Sequence, residues 1–342
     1  MKKFLYFLSC ISLILVVSTS CAPPTATEEN KEMSTQTLML EEDWNPVYFY
    51  VETQYPDFDS VFAPILNNVE NIEGYIGYRG GIYQPGLKNT FGEVEPYTVY
   101  MIDVKKDTTF EIKGEKKIQD SILLQSKLNN TNGMQVGYFP IPGEKTIAME
   151  DLMISKPENV KLISDYKGGL YVPEYKINTI KTLSPGKAYL FIFKDSVTLS
   201  LKDGAKEVTP EKMAMPIYPS NMPENWRFTP SPFVYFLSIP TKLIPNIKDG
   251  DLIGVFNKSG LCGGVNRIDM MNEYTILTIY ADDAMDKEQK GLVDGEEIIF
   301  KVFHAADGMM EDYNLYVNKE KNNLVQPFEW KIDMVKELVP IK

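Results

Sequence analysis

The chain has 342 residues, 35 Lys and Arg against 47 Asp and Glu, a net charge of −12 and one histidine. Its 44% hydrophobic and 24% charged content is that of a globular protein, which excludes a disordered or collagen-like chain. The acidic balance excludes nucleic acid as an expected partner. One histidine and three cysteines argue against a zinc site, an iron–sulfur cluster or a disulfide framework.

Residues 1–20 read as a signal peptide. Lys2 and Lys3 precede an apolar stretch from Phe4 to Val17, and small residues Ser18-Thr19-Ser20 follow. That stretch is shorter than the ~20 residues a spanning helix needs. Cys21 comes directly after, and the arrangement resembles a bacterial lipoprotein signal of the Bacteroidota type. In that family cleavage falls before the cysteine, whose thiol and new amino group receive acyl chains. Ser18 stands where the commonest form has Leu. The resemblance implies lipid attachment at Cys21, an outer-membrane lipoprotein of the cell envelope exposed at the surface, and the membrane as partner through the acyl anchor. Residues 21–37 carry Thr, Glu, Pro and Ala without an aromatic and read as a flexible tether. With Cys10 in the signal and Cys21 acylated, Cys262 is the one remaining thiol, expected as a small buried hydrophobe.

Residues 38–120 and 121–207 read as two copies of one small β module. Between Glu70–Lys88 and Glu158–Lys176 eight of nineteen positions are identical, among them Tyr78/Tyr166, Gly80-Gly81/Gly168-Gly169, Tyr83/Tyr171 and Pro85/Pro173. A one-residue insertion then aligns Asn89-Thr90 with Asn178-Thr179, Pro96 with Pro185 and Tyr100 with Tyr189. The glycine pairs are expected to let the chain reverse between strands. Strands are expected at 46–51, 97–104 and 108–112, mirrored at 135–141, 188–193 and 197–201. A short helix between Asp57 and Leu66 has Asp57 or Asp59 as its cap.

Residues 208–225 hold four prolines and read as a linker. From 226 to 342, apolar runs at 233–239, 252–256, 274–280 and 297–303 alternate with turn residues, the pattern of a β-sandwich. Trp226-x-Phe228, Ile239-Pro240, Gly250-Asp251-x-Ile253-Gly254-Val255-Phe256 and Cys262-x-Gly264 resemble a module of secreted and cell-surface Bacteroidota proteins. Trp44-Asn45 resembles the start of repeats in the same proteins. The resemblance implies β-sandwich architecture and a cell-surface setting, with no assigned chemistry. The expected fold class is therefore mainly β: two tandem β modules followed by an immunoglobulin-like β-sandwich, with few short helices.

His304, at the end of a predicted strand, would have to carry any Ser–His–carboxylate triad, and no G-x-S-x-G elbow supplies a nucleophile. It reads as a hydrogen-bonded strand-end histidine. Asp282, Asp283 and Asp286 are the candidate ligands for calcium, although their spacing does not match an EF-hand loop. No catalytic residue and no cofactor are expected. The leading expectation is a lipid-anchored cell-envelope protein that binds, adheres or spaces without catalysis, with an extracellular glycan or protein as partner. The alternatives are a carbohydrate-active hydrolase with an unmarked carboxylate pair, and a pilus-type polymerising subunit.

Overall fold

The computed structural model describes residues 32–74, 81–125, 134–165, 167–209, 218–231, 233–244, 246–282, 289–293 and 295–313, with the backbone of 315–317 and 335–340. The signal peptide, Cys21, the first part of the tether, and with them Tyr78, Gly80 and Tyr166, lie outside the described residues.

The protein is mainly β. Its first module runs β1 (Met33–Leu40), β2 (Asp43–Tyr48), β3 (Val51–Glu52), helix α1 (Phe58–Phe62), β4 (Val69–Gly74), β5 (Ile82–Gln84), β6 (Lys88–Asn89), β7 (Val99–Val104) and β8 (Thr108–Lys116). The second runs β9 (Ser121–Leu124), β10 (Gln135–Phe139), β11 (Ile147–Ala148), β12 (Leu152–Ile154), β13 (Val160–Ser164), β14 (Leu170–Val172), β15 (Ile177–Asn178), β16 (Thr182–Leu183), β17 (Tyr189–Phe193) and β18 (Val197–Leu201). The first builds a five-stranded sheet in the order β2-β7-β4-β5-β6 and a three-stranded sheet β1-β8-β3. The second repeats this as β10-β17-β13-β14-β15 and β9-β18-β12. One topology therefore serves both copies, down to a register break at the start of β4 (Val69/Asn71) and of β13 (Val160/Leu162).

The register corrects the alignment at its upstream end. Ile72 pairs with Tyr83, and Ile163 pairs with Tyr171. Ile72 thus corresponds to Ile163, and the turn between the two strands is three residues longer in the first copy. The identities Glu70/Glu158 and Asn71/Asn159 are coincidences, because Glu70 lies in β4 whereas Glu158 lies in a 3-10 turn before β13. Only one of the described glycines does what the pairs were expected to do: Gly168 takes φ 112°. Gly81 is needed for space instead, since a Cβ there would stand 2.4 Å from the ring of Phe91.

The other shared residues lock backbone. Thr90 Oγ1 accepts from the N–H of Ile82, and Thr179 Oγ1 accepts from that of Leu170, each at 2.8 Å. The buried Tyr100 hydroxyl accepts from Glu95 N, and that of Tyr189 from Ser184 N, again at 2.8 Å. Both tyrosines thereby hold the turn that begins five residues earlier, where Pro96-Tyr97 and Pro185-Gly186 follow. Its fourth N–H returns to its first carbonyl in each copy, from Thr98 to Glu95 and from Lys187 to Ser184. The residue after each proline is left-handed, Tyr97 at φ 59° and Gly186 at φ 84°, as a type II turn requires.

Helix α1 is too short to be stable alone. Asp57 caps it, its Oδ1 accepting from Ser60 N at 2.8 Å, and Phe58, Val61 and Phe62 are buried at helical spacing. Phe58 stacks on Phe91 with centroids 5.0 Å apart and an interplanar angle of 11°, so packing supplies what propensity does not. Between the corresponding strands β12 and β13 the second copy has a 3-10 turn, Pro157–Asn159, in place of the helix.

Two features of the chain differ from the sequence reading. The strand β1 begins at Met33, inside the span read as tether, and pairs with β8 from Met33↔Glu115 to Leu40↔Thr108. Gln36 and Leu38 face inward there, alternating with exposed Thr35 and Thr37. The span 208–225 is not a free linker at its far end. Tyr218 and Met222 pack against a buried cluster of Trp226, Leu252, Phe256, Cys262, Val265 and Phe303.

That cluster covers one outer face of the C-terminal sandwich. Its strands are β19 (Val234–Pro240), β20 (Leu252–Asn257), β21 (Cys262–Arg267), β22 (Tyr274–Tyr280), β23 (Ile298–Phe303), β24 (Met310–Tyr313), β25 (Leu315–Val317) and β26 (Val335–Pro340). They form two sheets, β22-β19-β26-β25 and β21-β20-β23-β24. Leu237, Ile239, Ile253, Val255, Leu277, Ile279, Phe300 and Val302 fill the space between them. Val234, Phe236, Ile276 and Tyr280, on the other face of the first sheet, join the core of the second module. Both faces of β19 and β20 are therefore buried, which is why these strands read as unbroken apolar runs.

The modules are joined by backbone as well as by core. Tyr48 N donates to Gly186 O and Ala188 N to Pro46 O, each at 2.9 Å, so β2 continues into the second module through the Val47↔Lys187 bridge. Gln36 reinforces the seam: its Nε2 donates to Tyr48 O and its Oε1 accepts from Tyr50 N, both at 2.9 Å.

Candidate functional site

A small, open crevice lies between the first module and the C-terminal sandwich. Asp43, Trp44, Glu70 and Asp103 line one side, and Thr229, Pro230, Ser231, Ala281, Lys290 and Gly291 the other. The first four arise from three adjacent strands. Trp44 pairs with Asp103 across β2 and β7, and Glu70 is the extra residue of the break in β4, between the partners of Val104 and Asp103. A bulge of this kind re-aims a side chain out of the regular alternation. Asp43 sits at φ 73°, a conformation that costs an ordinary residue energy and that clusters at functional sites.

The opposite wall is built by short-range bonds. Ser231 Oγ donates to Ala281 O at 2.9 Å. Asp282 Oδ1 accepts from Lys290 N at 2.7 Å and from Gly291 N at 3.1 Å, which closes the loop that carries Lys290. Lys290 Nζ then stands 3.7 Å from Asp43 Oδ1 and ties the two walls together.

The duplication supplies a comparison within one chain. By register the second copy places Gln135, Val136, Lys161 and Ile192 where the first has Asp43, Trp44, Glu70 and Asp103. The fold thus does without these acids and this indole in one copy. Sequence reasoning missed them because 47 acids offer no reason to single out three, and because the bulge that aligns Glu70 with Lys161 is invisible without register.

The sequence-derived candidates are placed as follows. His304 follows β23 directly and is buried at 9% exposure. Its Nδ1 lies 3.0 Å from Asp251 Oδ2, and its Nε2 faces Glu311 Oε1 at 3.8 Å. Asp251 also accepts from Ala305 N and Lys248 N, so the pair fastens the end of β23 to the start of β20. Both ring nitrogens face carboxylates, which is a structural setting and not the hydroxyl-facing one of a triad. Cys262 is buried at 1% exposure, its thiol pushed up to about 12 by burial, with the carbonyl of Gly264 within 3.7 Å. Asp282 spends one carboxylate oxygen on its own loop, while Asp283 and Asp286 lie outside the described residues. Among the described residues no group of three His, Cys, Asp or Glu side chains could hold a metal ion, and no helix is long and apolar enough to cross a membrane.

Neither the protein-family models nor the curated proteins compared with this chain match it.

Proposed function

We propose that this is a lipid-anchored cell-envelope protein, attached through Cys21, that acts by binding, adhesion or spacing. The observation that carries this reading is the docking of its modules. The first continues into the second through paired backbone, and the second shares one core with the C-terminal sandwich. A body built this way transmits position from an anchored end to a far surface. The residues common to both copies serve that stiffness, since Thr90/Thr179 and Tyr100/Tyr189 hold turns. The crevice is the surface on which a partner, an extracellular glycan or protein, is most specifically met, because its lining is particular to one copy.

The test has two arms. Cys21→Ser should move the protein from the membrane to the soluble fraction and abolish incorporation of labelled fatty acid, because acyl chains give the attachment. Membrane retention of an unlabelled variant overturns the anchor. Incubating the mature protein with polysaccharides, esters and peptides should give no turnover. Turnover that is lost in His304→Ala would overturn the non-catalytic reading.

A hydrolase remains the second reading, favoured by the three carboxylates that share one crevice. Turnover lost in Asp43→Asn, Glu70→Gln or Asp103→Asn would establish it.

A further inference from the structure

Strand β1 ends its sheet, in the order β1-β8-β3, and at eight residues it is the longest of the strands that end a described sheet. One edge pairs with β8 along its whole length, from Met33↔Glu115 to Leu40↔Thr108. Among the described residues no backbone pairs with the other edge. An antiparallel strand turns every second N–H and C=O away from its partner. That edge is thus a template for a further strand.

Natural edge strands are kept from pairing by charge, proline, a bulge or shortness. Met33–Leu40 (MSTQTLML) has no charged residue and no proline, and its register on β8 runs without a break. Nor does the module demand this length. When Leu40↔Thr108 is matched to Leu124↔Val197, the corresponding strand β9 pairs over only four residues, Ser121 to Leu124. Residues 33–36 therefore have no counterpart in β9. Gln36 braces Tyr48 and Tyr50, but Met33 and Met39 are 68% and 76% exposed.

The exposed face decides what fits this edge. Met33, Thr35, Thr37 and Met39 point outward, alternating with inward Gln36, Leu38 and Leu40. Residues directly opposite in an antiparallel pair share a face. A two-fold axis through Gln36, perpendicular to the sheet, sets Met33 against Met39 of a second copy and Thr35 against its Thr37. Each pair recurs with the copies exchanged. The series Met-Thr-Thr-Met reads the same from both sides, as an isologous contact requires. Two copies of a chain with net charge −12 repel each other, and β1 sets no charge against another.

We propose that β1 is a homodimer edge, where two copies of this chain pair antiparallel about Gln36. Their three-stranded sheets become one of six, in the order β3-β8-β1-β1-β8-β3. None of the crevice-lining residues belongs to β1, so this surface adds to the binding proposed above. It does not depend on the anchor at Cys21. Seven paired residues a side, Met33 to Met39, fall short of the ~20–30 of a standard interface, so the dimer is reversible and depends on concentration.

Cysteine cross-linking reads the register. Directly opposite residues lie ~4.5–5.5 Å apart at Cα, within reach of a disulfide, whereas diagonal ones lie ~7–8 Å apart, beyond it. Full-length Thr35→Cys and Thr37→Cys chains with different tags are expressed together and mildly oxidised. The mixed-tag disulfide should exceed both same-tag products and the wild-type background by at least ~10-fold. In sedimentation of the purified protein, Thr35→Lys/Thr37→Lys sets like charges opposite each other and should weaken dimerisation at least ~10-fold. Thr109→Lys, at an exposed position one strand in on β8, should change it by less than about twofold. Absence of the mixed disulfide overturns the proposal. So does a same-tag product of equal abundance, or a dimer that the two lysines leave intact. All three positions are exposed, and the cross-link decides should the lysine variant fail to fold.

Discussion

Gly186→Ala tests how the first two modules are held together. Gly186 sits at φ 84°, where a Cβ would come 2.4 Å from Leu38 Cδ2 and 2.8 Å from Gln36 Nε2. A left-handed alanine costs roughly 1–2 kcal/mol from backbone sterics alone. Leu38 and Gln36 are buried at 4% and 1% exposure, so neither end can swing into solvent. Displacing Gln36 breaks its bonds to Tyr48 O and Tyr50 N, and buried groups left unpaired cost about 1–3 kcal/mol. The sum is about 2–5 kcal/mol. Gly204→Ala separates the two terms, because Gly204 has nearly the same φ of 78° and nothing within 4 Å of the added methyl. Guanidinium denaturation of both variants, with unchanged m-values, should show Gly186→Ala less stable than Gly204→Ala by at least ~1 kcal/mol. Equal losses would mean that the seam through Gly186 and Gln36 contributes nothing, and the account of module docking would be wrong.

The turn locks should be equivalent in the two copies. Tyr100→Phe and Tyr189→Phe each strand one backbone N–H, of Glu95 or Ser184, and each should cost about 1–2 kcal/mol by denaturant unfolding; a loss in only one would show that the copies use this residue differently. Cys262, with its thiol pushed up to about 12 by burial, should resist a thiol reagent at pH 8 in the native protein and react fully in denaturant. Rapid native labelling would contradict its placement in the Trp226 cluster.

The duplication was legible because Thr90/Thr179 beside β5 and β14, and Tyr100/Tyr189 in β7 and β17, do the same backbone work in both copies. Strand β18 was legible for a similar reason, as a short β-branched run after a turn. Strand β21 was not, since Cys262-Gly263-Gly264 has no β propensity. Its glycines are explained only by neighbours distant in sequence: a Cβ at Gly264 would stand 2.1 Å from Thr278 O, and one at Gly263 would stand 2.4 Å from Leu292 Cγ. The segment before Trp226 failed differently. Its prolines signal irregular chain, and around Pro219 and Pro223 the chain is irregular, but irregular chain can still carry Tyr218 and Met222 onto a sheet face. The crevice was the least legible feature. Asp43, Glu70 and Asp103 become a group only through strand pairing, and a pairwise comparison anchored on Glu70/Glu158 concealed that Glu70 corresponds to a lysine.

The residue after the turn proline also sets the two copies apart. At Gly186 the absence of a side chain lets the preceding module come into contact with the turn. At Tyr97, in the same backbone conformation, a whole phenol ring occupies that place, lying 5.5 Å from the ring of Tyr48, and its hydroxyl accepts from Gln119 N. One turn position therefore serves the join between the modules twice, by leaving room at Gly186 and by holding the connection between β8 and β9 at Tyr97.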